Sequence, residues 1–260
     1  MIIITGTGKE ANMNIGIIGA GNIGGTIARK LAAAGHAVKL AGADSPEKIR
    51  GKAEQIGATA VHAREAVKDV EVIILSIPFA EISNVASHFA GVPDDVVVID
   101  TGNYYPFRDG NIAEIDNGKP ESVWSSEQIG RPVVKAFNAV LAETLANGGS
   151  VEQTSGRIAV PVAGDDARTK AIASGLVNET GFDALDAGVL ADSWQQQPGT
   201  PAYCTELTLP ELRDALSAAD KARASMDRDA LIKSFMEEET ALTHEQTVAR
   251  NREVTAPRRA

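Results

Sequence analysis

The six residues Gly19-Ala20-Gly21-Asn22-Ile23-Gly24 limit the fold of this chain more than any other stretch. They close the apolar run Asn14–Gly19, which reads as a strand. They also open Asn22–Ala34, where Ile23, Ile27 and Leu31 recur at helical spacing and Gly35 supplies the stop. A strand, a GxGxxG turn and an amphipathic helix, in that order, form the first half of a βαβ unit. Gly19 permits a tight turn, Gly21 lets the backbone approach a pyrophosphate, and Gly24 lets the helix pack closely on the strand, its N-terminus facing the phosphate charge. Gly25 leaves that surface smaller still. Gly19, Ala20, Gly21, Asn22, Ile23 and Gly24 are therefore the expected cradle of a dinucleotide. The bland alternative is a structural βα turn that holds nothing.

Beyond the turn, short β-rich runs alternate with helical patterns, the signature of a parallel sheet. His36–Ala41 is the second strand and Ser45–Gln55 a helix, with Ser45 at its cap and Pro46 in its first turn. A weak strand near Ala58–Val61 follows. Val70–Ser76, Asp95–Asp100, Pro132–Ala136 and Arg157–Val162 are further strands, the first nearly continuously apolar, as a strand covered on both faces must be. Phe79, Ile82, Val85 and Phe89 mark one face of a helix. Asp165 is placed to cap another that ends at Gly181, and Phe182–Asp186 suits an edge strand. Past Gly188 the chain changes character. Trp194–Tyr203 is rich in turn formers, Thr208-Leu-Pro-Glu211 spells a capping box, and Leu209, Leu212, Leu216 and Ala219 form the stripe of the helix it opens. A second helix is expected over Asp227–Leu242, and a loose polar tail from Gln246. The expected fold is α/β: a Rossmann-type doubly wound parallel sheet with a short, mainly helical C-terminal segment. The division falls at residues 1–190 and 191–260, with a soft boundary within 190–208.

The formal net charge of −10 disfavours nucleic-acid and anionic-membrane partners, both polyanions. No apolar run reaches 18 residues, and Met1–Thr5 lacks the length and basic flank of a signal peptide. Gly6-Thr7-Gly8-Lys9 fails the spacing of a phosphate loop and suits a leader to a core beginning near Met13. Cys204 is the single cysteine, which forbids an internal disulfide and suits a reducing cytoplasm. His36, His62, His88 and His244 lack metal-ligand spacing, so no metal site is expected. Asp44 lies twenty residues beyond Gly24, about where a carboxylate grips the ribose hydroxyls of NAD and repels the 2′-phosphate of NADP. It stands past the end of strand two, however. Lys48 and Arg50 follow, either to reach a 2′-phosphate or simply to be solvated.

With the turn, Ser76-Ile-Pro78-Phe79 and Val133-Val-Lys-Ala-Phe-Asn138 in view, the sequence resembles the NADP-dependent deazaflavin-coenzyme reductases (coenzyme F-420:NADP oxidoreductases). Ala32–His36, Val97–Thr101 and Val162–Asp166 support the likeness, which spans about residues 13–190. It implies a nicotinamide dinucleotide whose hydride passes to a flat acceptor. In that group a Ser-Arg or similar pair after strand two grips the 2′-phosphate; here Ala43-Asp44 stands instead. The resemblance thus argues for NADP and Asp44 for NAD.

Hydride transfer asks little of side chains beyond orientation and a dry pocket. Ligands of doubly wound sheets lie at the carboxyl ends of the strands, which places Ser76, Ile77, Pro78, Thr101, Gly102 and Asn103 along the cofactor. Ile77 and Pro78 would back the nicotinamide, with Ser76 and Asn103 bonding its ribose or carboxamide. Lys135 is a candidate to orient an anionic acceptor or give a proton, and Asn138 to donate an amide hydrogen bond. Tyr104 and Tyr105 are placed to stack on a planar substrate or to anchor their loop. Trp194, Gln197, Tyr203 and Cys204 lie in a covering loop, with Cys204 expected to pack rather than react. The function expected is an NAD(P)H-dependent oxidoreductase, a homodimer in the cytoplasm, acting on coenzyme F-420 or a similar small planar acceptor. Alternatives are a pyrroline-carboxylate or imine reductase, a 3-hydroxyacid dehydrogenase, or a non-catalytic NAD(P) sensor using the stripe at Leu209–Ala219.

Overall fold

The structure, a computed structural model, describes residues 12–238 and 240–256, so Gly6–Lys9 and the expected leader lie outside the described residues. Six parallel strands form one sheet: β1 (Asn14–Ile18), β2 (Ala37–Ala41), β3 (Thr59–Ala60), β4 (Val72–Leu75), β5 (Val97–Asp100) and β6 (Val134–Lys135). Their order is β3-β2-β1-β4-β5-β6. This is the doubly wound arrangement, and the order reverses between β1 and β4, where such sheets open a crevice at the strand ends.

Both faces of the sheet are covered, which is why β4 is apolar throughout and β5 is buried throughout, with Asp100 at its carboxyl end as its one polar residue. On one face Ile15, Ile17, Ile74 and Ile99 meet Ile27 and Leu31 of α1 (Asn22–Ala34) and Leu176 of the helix Ala167–Glu179. On the other, Ile73, Leu75 and Val98 meet Phe79, Tyr104 and Trp124. Trp124 stacks on Phe79 with ring centroids 5.0 Å apart. α1 has the expected bounds because its signals are local: the glycine turn starts it, and Gly35, at φ 108, accepts the left-handed conformation that ends it. α2 (Pro46–Gln55) starts behind Ser45.

β7 (Ala159–Val162) and β8 (Asp183–Asp186) form a parallel pair of their own. Lys135 N–H donates to the Ala163 carbonyl at 2.8 Å and Ala163 N–H returns the bond at 3.0 Å, so the pair hangs on β6 in the antiparallel sense. β8 is thus not an edge strand of the main sheet.

Several expectations are corrected. Phe79–Phe89 is not one helix but an α-turn, Ile82–Val85, between two 3-10 turns; Ser83, Asn84 and Ser87 are weak helix formers. Asp166, not Asp165, caps the helix Ala167–Glu179, accepting from Thr169 N–H at 2.8 Å, while Asp165 accepts from Leu190 N–H at 2.9 Å. The segment before Gln197 forms the 3-10 helix Leu190–Gln196. The capping box at Thr208 and Glu211 is present and opens Leu209–Ser217. Leu212 and Leu216 of that helix are buried and pack with Ala159 and Leu185, while Leu209 and Ala219 are partly buried. The next helix spans Lys221–Met236 rather than Asp227–Leu242, because the Asp220 carboxylate takes the Ala222 N–H and starts it earlier. The tail from Gln246 is not loose. Residues His244–Thr255 are helical, behind a second capping box of Thr243 and Gln246.

Candidate active site

The glycine turn is packed tightly at Gly19 and Gly24 and open at Gly21. Gly19, at φ 118, lies so close to the end of β4 that an added Cβ would meet the Ser76 carbonyl oxygen at 2.0 Å. A Cβ on Gly24 would sit 2.0 Å from the Gly19 carbonyl oxygen, so α1 packs against its own strand only through glycine. At Gly21 a Cβ would meet nothing within 4 Å: the backbone faces open space. The first turn of α1 carries no acidic residue, and no side chain caps it, which leaves its N–H groups for an external anion. These residues fit the pyrophosphate of a dinucleotide.

At the end of β2, Asp44 is exposed and its Oδ1 pairs with Lys48 Nζ at 2.9 Å. Arg50 is engaged by Glu47 at 3.7 Å. The cation that reaches the turn is Lys52, which donates to the Ala20 carbonyl at 2.5 Å. No local pattern marks Lys52 in the sequence, because its proximity depends on how α2 packs against the turn.

From the turn a cavity of ≈ 390 Å³ runs along the strand ends. Gly21, Asn22 and Ile23 line its near end; Ser76, Ile77 and Pro78 follow β4; Thr101, Gly102 and Asn103 follow β5; Asn138 follows β6. Gly19, Ala20 and Gly24 support this wall without facing the cavity, and Asp44 stands outside it. The wall also includes Arg108, Phe137, Tyr203 and Cys204. Arg108 and Phe137 were not legible as site residues, since no local pattern marks them. Phe137 and Cys204 hold φ values of 60 and 55, conformations that side-chain-bearing residues seldom adopt and that cluster at functional sites. Trp194 and Gln197 line a separate cavity of ≈ 470 Å³ with Asp116 and Lys221, without any part of the glycine turn.

Lys135 lies behind the wall rather than in it. Fully buried, its ammonium donates to the Gly102 carbonyl at 2.9 Å, to Ser122 Oγ at 3.1 Å and to Glu121 Oε2 at 3.2 Å. Burial pushes the Glu121 carboxyl up, against the pull of Lys135. Asp100, also buried, accepts from Ser122 Oγ and from Gly102 N–H, both at 2.8 Å. The cluster fixes the Thr101–Asn103 loop from beneath. A second support is made of amides: Gln196 Nε2 donates to Asn138 Oδ1 at 2.9 Å, and Asn138 Nδ2 to Asn103 Oδ1 at 3.0 Å. Asn103 returns a bond to the Asn138 carbonyl at 2.9 Å.

The cavity wall also holds Tyr105 and Tyr203, whose hydroxyl oxygens are 2.5 Å apart. Burial pushes both phenols up, Tyr203 strongly, and pushes the adjacent Cys204 thiol up to about 12. Cys204 is therefore a packed thiol, not a thiolate. Tyr104 points away from the cavity, into the core against Phe79. The turn of residues 203–206 is tied down by the last helix. Arg252 donates to the carbonyls of Thr205 and Glu206, and His244 Nε2 lies 2.6 Å from Glu206 Oε1.

Residues 14–104, from β1 through the loop after β5, match the model of a family described as NADP oxidoreductase, coenzyme F420-dependent. The Escherichia coli (strain K12) protein YjhV is 37% identical over 106 residues, 41% of this chain and 77% of that one. The chain belongs to this oxidoreductase family. Its solved relatives share the fold. A hypothetical protein, SMa0349 from Sinorhizobium meliloti, superposes with a TM-score of 0.64 at 26% identity, over 76% of this chain and 96% of that one. A provisionally assigned F420-dependent NADP reductase from Arthrobacter sp. FB24 gives 0.56 at 20% identity, over 70% and 87%. As a member of the F420-dependent NADP oxidoreductase family, the chain is an NAD(P)-dependent oxidoreductase by kinship. Among the described residues no helix is long and apolar enough to cross a membrane.

Proposed function

We propose that this protein binds NADH or NADPH and passes hydride to a small planar acceptor, coenzyme F420 or a similar redox molecule. One observation carries the reading: the cavity at the ends of β4, β5 and β6 begins at Gly21, Asn22 and Ile23, so the phosphate cradle and the chamber for chemistry are continuous. When bound, the dinucleotide supplies the hydride. The chain's own residues bind, orient and exclude water. Backbone N–H groups of the Gly21 turn hold the pyrophosphate, Ile77 and Pro78 form an apolar backing, Ser76 and Asn103 offer polar groups to the ribose or carboxamide, and Thr101 shapes the wall beside them. Asn138, fixed by Gln196, faces the acceptor. Lys135 acts as a positioning residue beneath Gly102. The same reading keeps the protein in a reducing cytoplasm, where Cys204 stays a thiol.

Fluorescence titration with NADH and NADPH is the direct test. At least one should bind in roughly the micromolar range usual for such sites. Binding of neither refutes the proposal. A screen of F420, flavins, quinones, aldehydes, cyclic imines and ferric chelates with the bound nucleotide then identifies the acceptor.

A further inference from the structure

The cavity wall contains a narrow choice of groups able to deliver a proton. Its lining includes no histidine, no carboxylate and no lysine; its one charged residue, Arg108, is bonded to Asp109 at 2.8 Å. Thr101 Oγ1 is committed to the Leu75 carbonyl at 3.0 Å. The remaining O–H groups belong to Ser76, Tyr105 and Tyr203, and a phenol is a far stronger acid than an alkanol.

The tyrosine pair has a proton to spare. Its two hydroxyls carry two protons, and the 2.5 Å bond between them uses one, whichever ring donates. When Tyr203, which also lies against the Cys204 thiol, donates this bond, the Tyr105 hydroxyl keeps its own O–H free, and accepting a hydrogen bond strengthens it as a donor. Arg108 lies against the Tyr105 ring, its guanidinium carbon 5.2 Å from the centroid, and donates to the Asn103 carbonyl at 2.7 Å. The dyad is thereby clamped to the loop that follows β5.

Resting on the function proposed above, we infer that Tyr105 and Tyr203 form a hydrogen-bond and proton-donating dyad for the acceptor, which is a molecule reduced at a polar C=O or C=N bond or at a C=C conjugated with one. Hydride adds to the acceptor carbon, the π pair of C=X moves to the heteroatom, and that atom takes the free phenolic proton. The resulting tyrosinate shares the proton of its neighbour and is reprotonated from solvent. One hydride and one proton are consumed, and the product is CH–XH. A phenol that remains neutral through the physiological range is still a stronger acid than the alkanol it forms, so the transfer to an alkoxide runs downhill. One-electron acceptors such as ferric chelates need no such donor.

The test uses the full chain with NAD+ or NADP+ and the chromophoric aldehyde 4-(dimethylamino)cinnamaldehyde, whose absorption moves to longer wavelength when its carbonyl oxygen accepts a hydrogen bond. The wild type should shift the band, and the Tyr105→Phe/Tyr203→Phe double variant should not. A wild type that leaves the band unmoved, or a double variant that shifts it equally, overturns the inference. With a C=O or C=N acceptor from the screen, at least one single variant should lose about 100-fold in kcat, the usual worth of a positioned acid. NAD(P)H affinity by fluorescence should stay within about twofold, because the dyad is carried by other segments than the glycine turn. Loss of nucleotide binding in the wild type would instead strike the proposed function, so the two failures are separable.

Discussion

Asp44 and Lys135 show how differently two charged residues near one site are employed. Asp44 is a surface carboxylate paired with Lys48 just past the end of β2. Asp44→Asn should lower the Kd for NADPH relative to NADH by about fivefold, the scale of one exposed charge near a phosphate. Paired fluorescence titrations check this, and an unchanged ratio shows that Asp44 does not face the 2′ position. Lys135 is sealed against Glu121. Lys135→Met leaves that carboxylate buried without its partner, and urea unfolding should reveal a loss of roughly 3–5 kcal/mol. Adding Glu121→Gln should recover part of it; a double variant as unstable as the sum of the singles would show that the two residues do not act as a pair.

Among the elements, the last helix has a task out of proportion to its position. Through Arg252 and His244 it holds residues 203–206, the turn that presents Tyr203 and Cys204 to the cavity. Arg252→Ala should therefore raise the KM for the acceptor while NAD(P)H affinity holds, because the glycine turn lies on other elements; steady-state kinetics with both substrates varied separates the two. The sequence announced this helix only in part. Thr243-x-x-Gln246 is a capping box like the one read at Thr208, but the polar stretch after it has no apolar stripe, so the helix escaped notice. Where signal and structure are both local, as from Gly19 to Gly35, residues and bounds were legible together. The start of Lys221–Met236 was not, because a single Asp220 side chain decides it. The contact of Lys52 with Ala20 and that of Tyr105 with Tyr203 were invisible too, since each depends on how separate elements pack.

Taken as a whole, the molecule has gathered weak acids into a dry place, and this sets its alkaline limit. In the unfolded chain a thiol ionises near 9.0 and a phenol near 10.0; folded, Cys204 holds its proton to about 12, and Tyr105 and Tyr203 are likewise raised above their ordinary value. The unfolded state therefore sheds protons first. Stability is intact below about pH 9 and falls as pH rises from there toward 12. Thermal melts between pH 8 and 12 should show a falling Tm, and Cys204→Ala should flatten the first part of the decline; a Tm indifferent to pH across this range contradicts the burial of these groups. The Tyr105–Tyr203 bond also orders events in time. Its partners are 98 residues apart, whereas the glycine turn closes within one strand, one turn and one helix. Contacts that enclose long loops bear the larger entropic cost and form late. A refolding chain should therefore regain its grip on the dinucleotide before its reaction chamber is finished, and stopped-flow refolding should show nucleotide binding ahead of the aldehyde's spectral shift.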